Sequence, residues 1–188
     1  MSLDFDSARL PNSFLKPEHH EWRAQLRRFF DREVIPYAAQ WDEDGRIPDE
    51  LWPKSAAVGI LGLGYPEEFG GVTEGIDIWY SIILNEEMAR IAVGGVSATL
   101  LVHGIALPPV INFGSDAIKQ MVAPPVLAGT KRISLGITEP GAGSDVAHLT
   151  TTARLDGDHY VVNGSKTYIT GGMNANWFTT AVRTGGEG

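Results

Sequence analysis

The chain has 188 residues, of which 43% are hydrophobic and 20% are charged, and its formal net charge is −8. This balance is typical of a folded protein of one or two domains. It argues against a nucleic-acid-binding protein, which would usually present a basic face. No run of 18 apolar residues occurs, so no membrane-spanning helix is predicted. The chain has no cysteine, which excludes disulfides, and its start resembles neither a signal nor a transit peptide, so we expect a cytoplasmic protein.

The first third of the chain is predicted to be helical after a loose polar arm over residues 1–15. The apolar residues between positions 17 and 40 follow a helical spacing, with Pro17 in the first turn. Pro36 is expected to kink or shorten the end of this helix. A second, shorter helix is predicted over residues 49–58, where a glycine follows.

The middle of the chain continues the helical pattern. A third helix is predicted over residues 76–91 and a fourth from residue 96, and the prolines at 108–109 are expected to interrupt the fourth. Ser115 is the expected N-cap of another helix, which the prolines at 124–125 would terminate.

After residue 131 the pattern becomes that of β-strands. Alternating or β-branched runs predict strands, and Asp156-Gly157 marks a turn between two of them. Asn163-Gly164 is a strong hairpin signal, which predicts that residues 167–170 return as a strand. The predicted strands cover residues 133–137, 150–155, 160–162, 167–170 and 177–182.

One glycine-rich run, GITEPGAGSD at residues 136–145, lies where the helical pattern gives way to strands. Its three small residues at 141–143 would let the backbone approach a ligand closely, and Ser144 adds a hydroxyl. Such a turn suits a pyrophosphate, although a turn without a ligand explains the run alone equally well. The run lacks the third glycine of a dinucleotide-binding fingerprint and the Gly-Lys-Ser/Thr ending of a P-loop.

Several further motifs occur in a fixed order around this run. They are YPEEFGG at 65–71, NEEMAR at 85–90, FGS at 113–115, LAGT at 127–130 and NGSKTYITGG at 163–172. This ordered series resembles the FAD-dependent acyl-CoA dehydrogenase family over residues 22–183. One departure is His148, which stands where the family usually has a small residue.

The resemblance implies an α+β multidomain fold. An all-α N-terminal domain over residues 1–132 would be followed by the first strands of an antiparallel β-sandwich or barrel over residues 133–188. The family's third part, a C-terminal helical bundle, is not found in this sequence, so the chain is expected to be truncated. The catalytic glutamate of the family is expected beyond Gly188, and no catalytic residue is assigned within the chain.

The resemblance also implies where FAD would bind. Backbone groups near Leu135 and Ile137 would meet the pyrimidine edge, with the Thr138 hydroxyl beside them. Ser144 would approach both the pyrophosphate and the acyl-CoA chain. The expected cofactor-binding residues are Leu135, Gly136, Ile137, Thr138, Gly143, Ser144, Tyr168, Ile169 and Thr170.

Two of these residues have specific implied roles. Tyr168 matches the aromatic side chain that screens the flavin ring, and Thr170 matches the hydroxyl that bonds flavin N5. Taken singly, the tyrosine is more often a core residue and the threonine an ordinary strand residue, so only their joint match supports a flavin site. The five histidines show no metal-ligand spacing, and no metal is assigned.

The implied reaction is flavin-dependent α,β-dehydrogenation of an acyl-CoA thioester. The implied partners are the acyl-CoA substrate and an electron-transferring flavoprotein, and relatives of this kind are commonly homotetramers. Three alternatives stay open. They are an acyl-CoA oxidase, a flavin monooxygenase relative on the same fold, and a noncatalytic flavin- or acyl-CoA-binding module.

Overall fold

The computed structural model describes residues 12–185. Helices occupy the chain from Pro17 to Leu127, and strands begin at Ile133, which confirms the predicted change from a helical to a β-rich part. The arm predicted over residues 1–15 lies mostly outside the described residues. The helices are α1 (Pro17–Glu33), α2 (Ala38–Glu43), α3 (Leu51–Ala57), α4 (Ile78–Ala89), α5 (Gly94–Leu101), α6 (His103–Ala106), α7 (Pro108–Phe113) and α8 (Asp116–Leu127).

The first helix, α1, forms because its apolar residues share one face. Trp22, Leu26 and Phe30 recur at spacings of four and are buried against the rest of the helical part. The helix packs on α4 and ends at Glu33, earlier than predicted, and a separate α2 follows Pro36. The proline therefore lies between two helices, because it lacks the N–H that a continuous helix would need.

The prolines near the end of α8 do not terminate it, contrary to the prediction. Pro124 and Pro125 lie inside the helix, which continues to Leu127. Val126 and Leu127 are buried in the core, so packing outweighs the lost backbone hydrogen bonds. Ser115 does cap the start of α8, because its hydroxyl accepts a hydrogen bond from the Ile118 amide at 3.4 Å.

Gly129, just past α8, is required by both its conformation and its surroundings. Its φ is +71°, and a Cβ at this position would lie 2.5 Å from the Trp52 carbonyl oxygen and 2.7 Å from the Pro53 nitrogen. The end of α8 thus packs directly on the backbone of α3.

We expect Gly129→Ala to destabilise the protein by about 2–3 kcal/mol, because it combines a strained φ with overlap against backbone. Gly157→Ala is the matched control: its φ is +64°, but a Cβ there has open space. The control should cost only about 1 kcal/mol. Urea unfolding gives the free energy of unfolding of each variant. If both variants lost the same amount of stability, the tight contact between Gly129 and α3 would be contradicted.

The β-rich part consists of two strand pairs, built from β1 (Ile133–Gly136), β2 (Thr152–Asp156), β3 (His159–Asn163) and β4 (Trp177–Thr180). β2 and β3 are antiparallel and joined by the predicted turn at Asp156-Gly157, with Asp156 opposite His159. β1 and β4 are parallel, with Ile133 opposite Trp177, a pairing that the sequence did not predict.

The hairpin predicted at Asn163-Gly164 is wrong. Residues 164–170 contain no strand, and the chain at Gly164 instead crosses over Thr151. A Cβ at Gly164 would lie 2.7 Å from the Thr151 Cα, and the φ of Gly164 is +152°. Glycine is used here for a close crossing of two backbone segments, which the dipeptide signal alone does not distinguish from a tight turn.

The β1–β4 pair is attached to the helical part by a shared core. Ile133 of β1 packs with Leu107 and with Val122 of α8. The Thr179 hydroxyl of β4 also donates to the Ala106 carbonyl at 2.6 Å. These contacts fix β1 against the end of α6, so the segments that follow β1 have a defined position beside the helices.

Within residues 12–185, no single helix is long and apolar enough to cross a membrane. One pair of consecutive helical segments, Gly94–Leu101 and His103–Phe113, is together long and apolar enough for a span by length and composition only, and it is bent by 41°.

Candidate functional site

The two segments that carry most of the predicted cofactor residues lie side by side. The Ser134 hydroxyl donates to the Thr170 carbonyl at 2.8 Å, and the Thr167 amide donates to the Thr138 carbonyl at 2.9 Å. Residues 166–170 therefore run antiparallel to β1 and its continuation. This arrangement brings the backbone of Thr138 next to the Tyr168–Thr170 stretch, although no hairpin joins the two segments.

Tyr168 is held in an unusual conformation. Its φ is +56°, which few aromatic residues adopt, and its side chain is 92% exposed. A large ring that is turned out to solvent in a strained conformation contributes little to the core. It is therefore available to cover a ligand that lies against β1.

The glycine-rich turn is closed by its own backbone. The Glu139 amide donates to the Ala142 carbonyl at 2.8 Å, and the Ala142 amide donates to the Glu139 carbonyl at 3.2 Å. Gly143 and Ser144 follow on the outside of this turn, and both are exposed. A Cβ at Gly141 or Gly143 would meet no atom within 4 Å. Internal packing does not require these glycines, so they leave an open surface that a ligand could approach.

Glu139, which the sequence analysis passed over, anchors the turn. Its carboxylate is 4% exposed and accepts hydrogen bonds from the Thr150 amide at 2.6 Å, the Thr150 hydroxyl at 2.7 Å and the Thr151 amide at 2.9 Å. It also forms an ion pair with Lys166 Nζ at 2.8 Å. Lys166, and next the donors of Thr151 and Thr150, hold the pKa of the Glu139 carboxyl far below its usual range.

Lys166 connects this anchor to the predicted flavin segment. Its Nζ atom donates to the Ile137 carbonyl at 2.9 Å as well as to Glu139. A single ammonium group thus fixes β1's continuation, the glycine-rich turn and the 166–170 segment relative to one another. Glu139 and Lys166 lie within two of the motifs given above, but nothing in the spacing of these motifs indicates that the two charges meet across 27 residues.

An apolar groove lies directly beside Thr170. Its volume is about 440 Å³, and within the described part of the chain Thr170 is its one lining residue from the β-rich part. The other lining residues come from α4, α5 and α6 and the junction of the last two, and they are mostly small or apolar: Asn85, Met88, Ala89, Ser97, Ala98, Leu101, Val102 and Ile105. No local pattern in the sequence predicts this groove, because its walls come from helices that are separated along the chain.

The helical part and the β-rich part of the chain each match a known family model. The model of the acyl-CoA dehydrogenase N-terminal domain matches residues 16–130, and that of the acyl-CoA dehydrogenase middle domain matches residues 134–188. The chain belongs to the acyl-CoA dehydrogenase family.

Individual relatives agree with this assignment. A long-chain specific acyl-CoA dehydrogenase from Sus scrofa is 38% identical over 166 residues, which cover 88% of this chain and 37% of the relative. The crystal structure of a probable acyl-CoA dehydrogenase from Mycobacterium abscessus superimposes with a TM-score of 0.87 at 47% identity, over 94% of this chain and 46% of that one. A glutaryl-CoA dehydrogenase from Mycobacterium smegmatis in complex with FADH2 gives a TM-score of 0.84 at 28% identity, over 96% and 45%. The chain thus spans less than half the length of these dehydrogenases.

The residue that departs from the family pattern, His148, lies on an exposed 3₁₀ turn. Its Nδ1 atom is 2.6 Å from an Asp145 carboxylate oxygen. The imidazole therefore interacts with the residue that directly follows Ser144.

Proposed function

We propose that this chain supplies the flavin- and acyl-binding surfaces of an acyl-CoA dehydrogenase. The reaction would be α,β-dehydrogenation of a CoA thioester to the 2-enoyl-CoA in the full-length enzyme. One observation supports this most directly: the 166–170 segment lies along β1, and Thr170 at its end faces an apolar groove. A flavin site and a channel for a hydrocarbon chain therefore share a residue. The division into domains at residues 132 and 133 is part of the same proposal.

The residues present fit FAD. The open surface at Gly141 and Gly143 and the exposed Ser144 hydroxyl suit a pyrophosphate, and the exposed Tyr168 ring suits a cover for the flavin ring. When bound, FAD would accept the hydride from the substrate β-carbon. The backbone near Leu135 and Thr138 would orient the ring, with Gly136, Ile137 and Ile169 beside it. Thr170 would offer its hydroxyl to N5.

The buried carboxylates of the described residues are unsuited to removing the substrate α-proton. Glu87 and Glu139 are each held by cationic side chains, and the pKa of each carboxyl is lowered. A carboxylate with a lowered pKa is a weak base. We therefore propose that the base is a glutamate outside this sequence, as the family resemblance implies.

The apolar groove suits the acyl chain of the substrate. Among residues 12–185, no charged side chain lines this groove, and the only polar side chains that line it are those of Asn85, Ser97 and Thr170. A hydrocarbon chain lying there would place the carbons nearest its thioester end beside Thr170. Ser144 would lie near the same thioester.

We also propose an electron-transferring flavoprotein as the electron acceptor, a homotetrameric assembly and a cytoplasmic location. One similar structure is that of the electron-transferring flavoprotein of Acidaminococcus fermentans, and another is that of the ChsE4–ChsE5 complex from Mycobacterium tuberculosis. These two similar structures support the proposals of electron transfer to a flavoprotein and of assembly with other chains.

Anaerobic mixing of the full-length flavoprotein with acyl-CoA thioesters tests the reaction. We expect bleaching of the flavin absorbance and slow reoxidation of the reduced enzyme by oxygen. Fast reoxidation would indicate an oxidase or a monooxygenase relative, and no bleaching would indicate a binding module. Activity restricted to free amines or nitroalkanes would refute the CoA thioester.

Thr170→Val is expected to weaken FAD binding about 3- to 10-fold, because it removes one hydrogen bond without changing side-chain shape. Thr152→Val is the matched control, since Thr152 is exposed on β2. Equilibrium titration with FAD gives the dissociation constant of each variant relative to that of the wild type. If the control binds FAD as weakly as Thr170→Val does, the hydroxyl has no specific role.

Residues 1–188 alone are expected to bind FAD with a Kd above about 10 µM and to show no turnover. The open turn and the exposed Tyr168 would cover one part of the cofactor only, and hydrogen bonds exposed to water are weak. Flavin titration of the purified chain checks this. Stoichiometric yellow protein, or reduction of a dye on adding an acyl-CoA, would show that the missing elements have been placed wrongly.

A further inference from the structure

A second cavity lies on the other side of α5 from the apolar groove. Its volume is about 300 Å³, and Trp41 and Trp52 form part of its wall, so we call it the tryptophan cavity. Within α5, Val96 and Leu100 face this cavity, whereas Ala98 and Leu101 face the groove. One helix thus separates two spaces of different character, which share only Val102.

The inner end of the tryptophan cavity is apolar with two buried polar groups. His103 is 8% exposed, and its Nε2 atom lies 3.1 Å from the Leu61 carbonyl, to which it donates. Burial lowers the pKa of the His103 imidazole, so this residue is neutral near pH 7. Ser134 is 1% exposed and donates to Thr170. The inner end therefore carries no formal charge and suits an apolar body.

The outer part of the cavity carries an excess of positive charge. Arg46, Lys131 and Arg132 line it, against the single carboxylate of Asp42. Arg132 is held in place, because its guanidinium carbon lies 3.9 Å from the centre of the Trp52 ring and it forms an ion pair with Asp49.

Lys131 differs from its neighbour Arg132. No acidic side chain among residues 12–185 forms an ion pair with its ammonium within 4.0 Å, and the residue is exposed. A fixed cation and an adjacent cation without a counter-charge at the mouth of an apolar cavity are complementary to an anionic head on an apolar body.

We propose that the tryptophan cavity binds a small organic carboxylate, with its apolar body between α5 and the two tryptophans and its carboxylate at Lys131 and Arg132. The cavity also contacts residues 171–174, the segment that directly follows Thr170. An occupant would restrain this turn and thereby the Tyr168–Thr170 segment. The binding itself does not depend on flavin chemistry, since Ile169 is the only predicted cofactor residue that lines the cavity.

The test uses NMR of the 188-residue chain with benzoate as the probe. The chain has five tryptophans, so five indole N–H signals are expected, which Trp→Phe variants assign. We expect the indole signals of Trp41 and Trp52 to shift saturably with benzoate. The chemical shifts of the other three indole signals, from Trp22, Trp79 and Trp177, should not change. Benzamide, which has the same shape without the charge, should bind more weakly, and inorganic phosphate should not shift the indole signals.

Lys131→Met should weaken benzoate binding about fivefold, which is typical of losing one partly exposed charge pair. Lys119→Met removes the same charge on α8, away from the cavity, and should leave the affinity unchanged. Thr99→Phe, which fills the cavity, should abolish the Trp52 shift while the unaffected indole signals report that the chain is folded. Equal benzoate and benzamide affinities, equal affinities in the two lysine variants, or no saturable shift in the wild-type chain would each overturn the proposal.

Discussion

Replacing Glu87 by glutamine is expected to destabilise the helical part by about 3–5 kcal/mol. The Glu87 side chain is fully buried. Arg27 binds both of its oxygens, at 3.1 Å and 2.8 Å, and Arg23 and Arg90 add bonds at 3.1 Å and 3.3 Å. Glutamine has nearly the same shape but no charge, so three guanidinium groups would lose their common counter-ion. Urea unfolding, followed by the helical circular dichroism signal, measures the loss.

The pH dependence of this effect has a definite sign. Burial is the largest single influence and raises the pKa of Glu87, but the bonds and charges of Arg27, Arg23 and Arg90 together lower it below the ordinary value. A lowered pKa contributes stability above the pKa of the unfolded chain, about 4.3, and this contribution is lost as the pH falls through the folded value. The difference in the free energy of unfolding between the wild type and Glu87→Gln should therefore become smaller as the pH falls below the pKa of the unfolded chain.

Glu43→Gln is the matched control, because Glu43 is exposed on α2 and its replacement changes the net charge equally. We expect the control to lie within about 0.5 kcal/mol of wild type. If Glu87→Gln were no less stable than this control, the arginine cluster would not depend on the buried carboxylate. The NEEMAR motif gives no local sign that Glu87 is buried, because two of the three arginines that permit its burial, Arg23 and Arg27, lie on α1.

Local signals in the sequence predicted the helical part well. The spacing of Trp22, Leu26 and Phe30 predicts α1, and the Ser115 cap predicts the start of α8, because each feature acts within one or two turns of helix. Proline signals were less reliable. Pro124 and Pro125 are tolerated inside α8 since the helix buries Val126 beyond them, and such a gain in packing cannot be read from the dipeptide.

The arrangement of the candidate site could be predicted only in part. The motifs identified the right stretches on both sides of the site, but the parallel pairing of β1 with β4 joins residues 44 positions apart and leaves no local pattern. The apolar groove was missed for the same reason, since helices from three places in the chain build it. At Asn163-Gly164 a strong local signal was overruled by the crossing over Thr151.

Glu139→Gln is expected to loosen the candidate flavin site without unfolding the helical part. The carboxylate joins Lys166 to the amides of Thr150 and Thr151. A glutamine can accept some of these bonds, but its amide nitrogen cannot, and the Lys166 ammonium would be buried beside it without a counter-charge. We expect hydrogen exchange of the Thr150 and Thr151 amides to become about tenfold faster or more.

Lys166→Met separates the two roles of this ion pair. It leaves Glu139 bonded to Thr150 and Thr151, so their amides should stay more protected than in Glu139→Gln, but it frees the Ile137 carbonyl. Because Lys166 is the largest influence that lowers the pKa of Glu139, the variant should also raise that pKa. In the wild-type chain the hydrogen bonds of the Glu139 carboxylate should persist at pH values well below the usual pKa of glutamate. They are lost only when the pH falls to the lowered pKa of Glu139.

Glu68→Gln, an exposed change of the same kind, controls for net charge and should leave all of these amides unaffected. Exchange measured by NMR at several pH values gives each comparison residue by residue. If Thr150 and Thr151 exchange equally fast in wild type and Glu139→Gln, the carboxylate does not hold these segments together. The position of the flavin-facing turn would then depend on the β1–β4 pairing and the shared core at Ile133, because those contacts are the other connections that fix β1 to the helices.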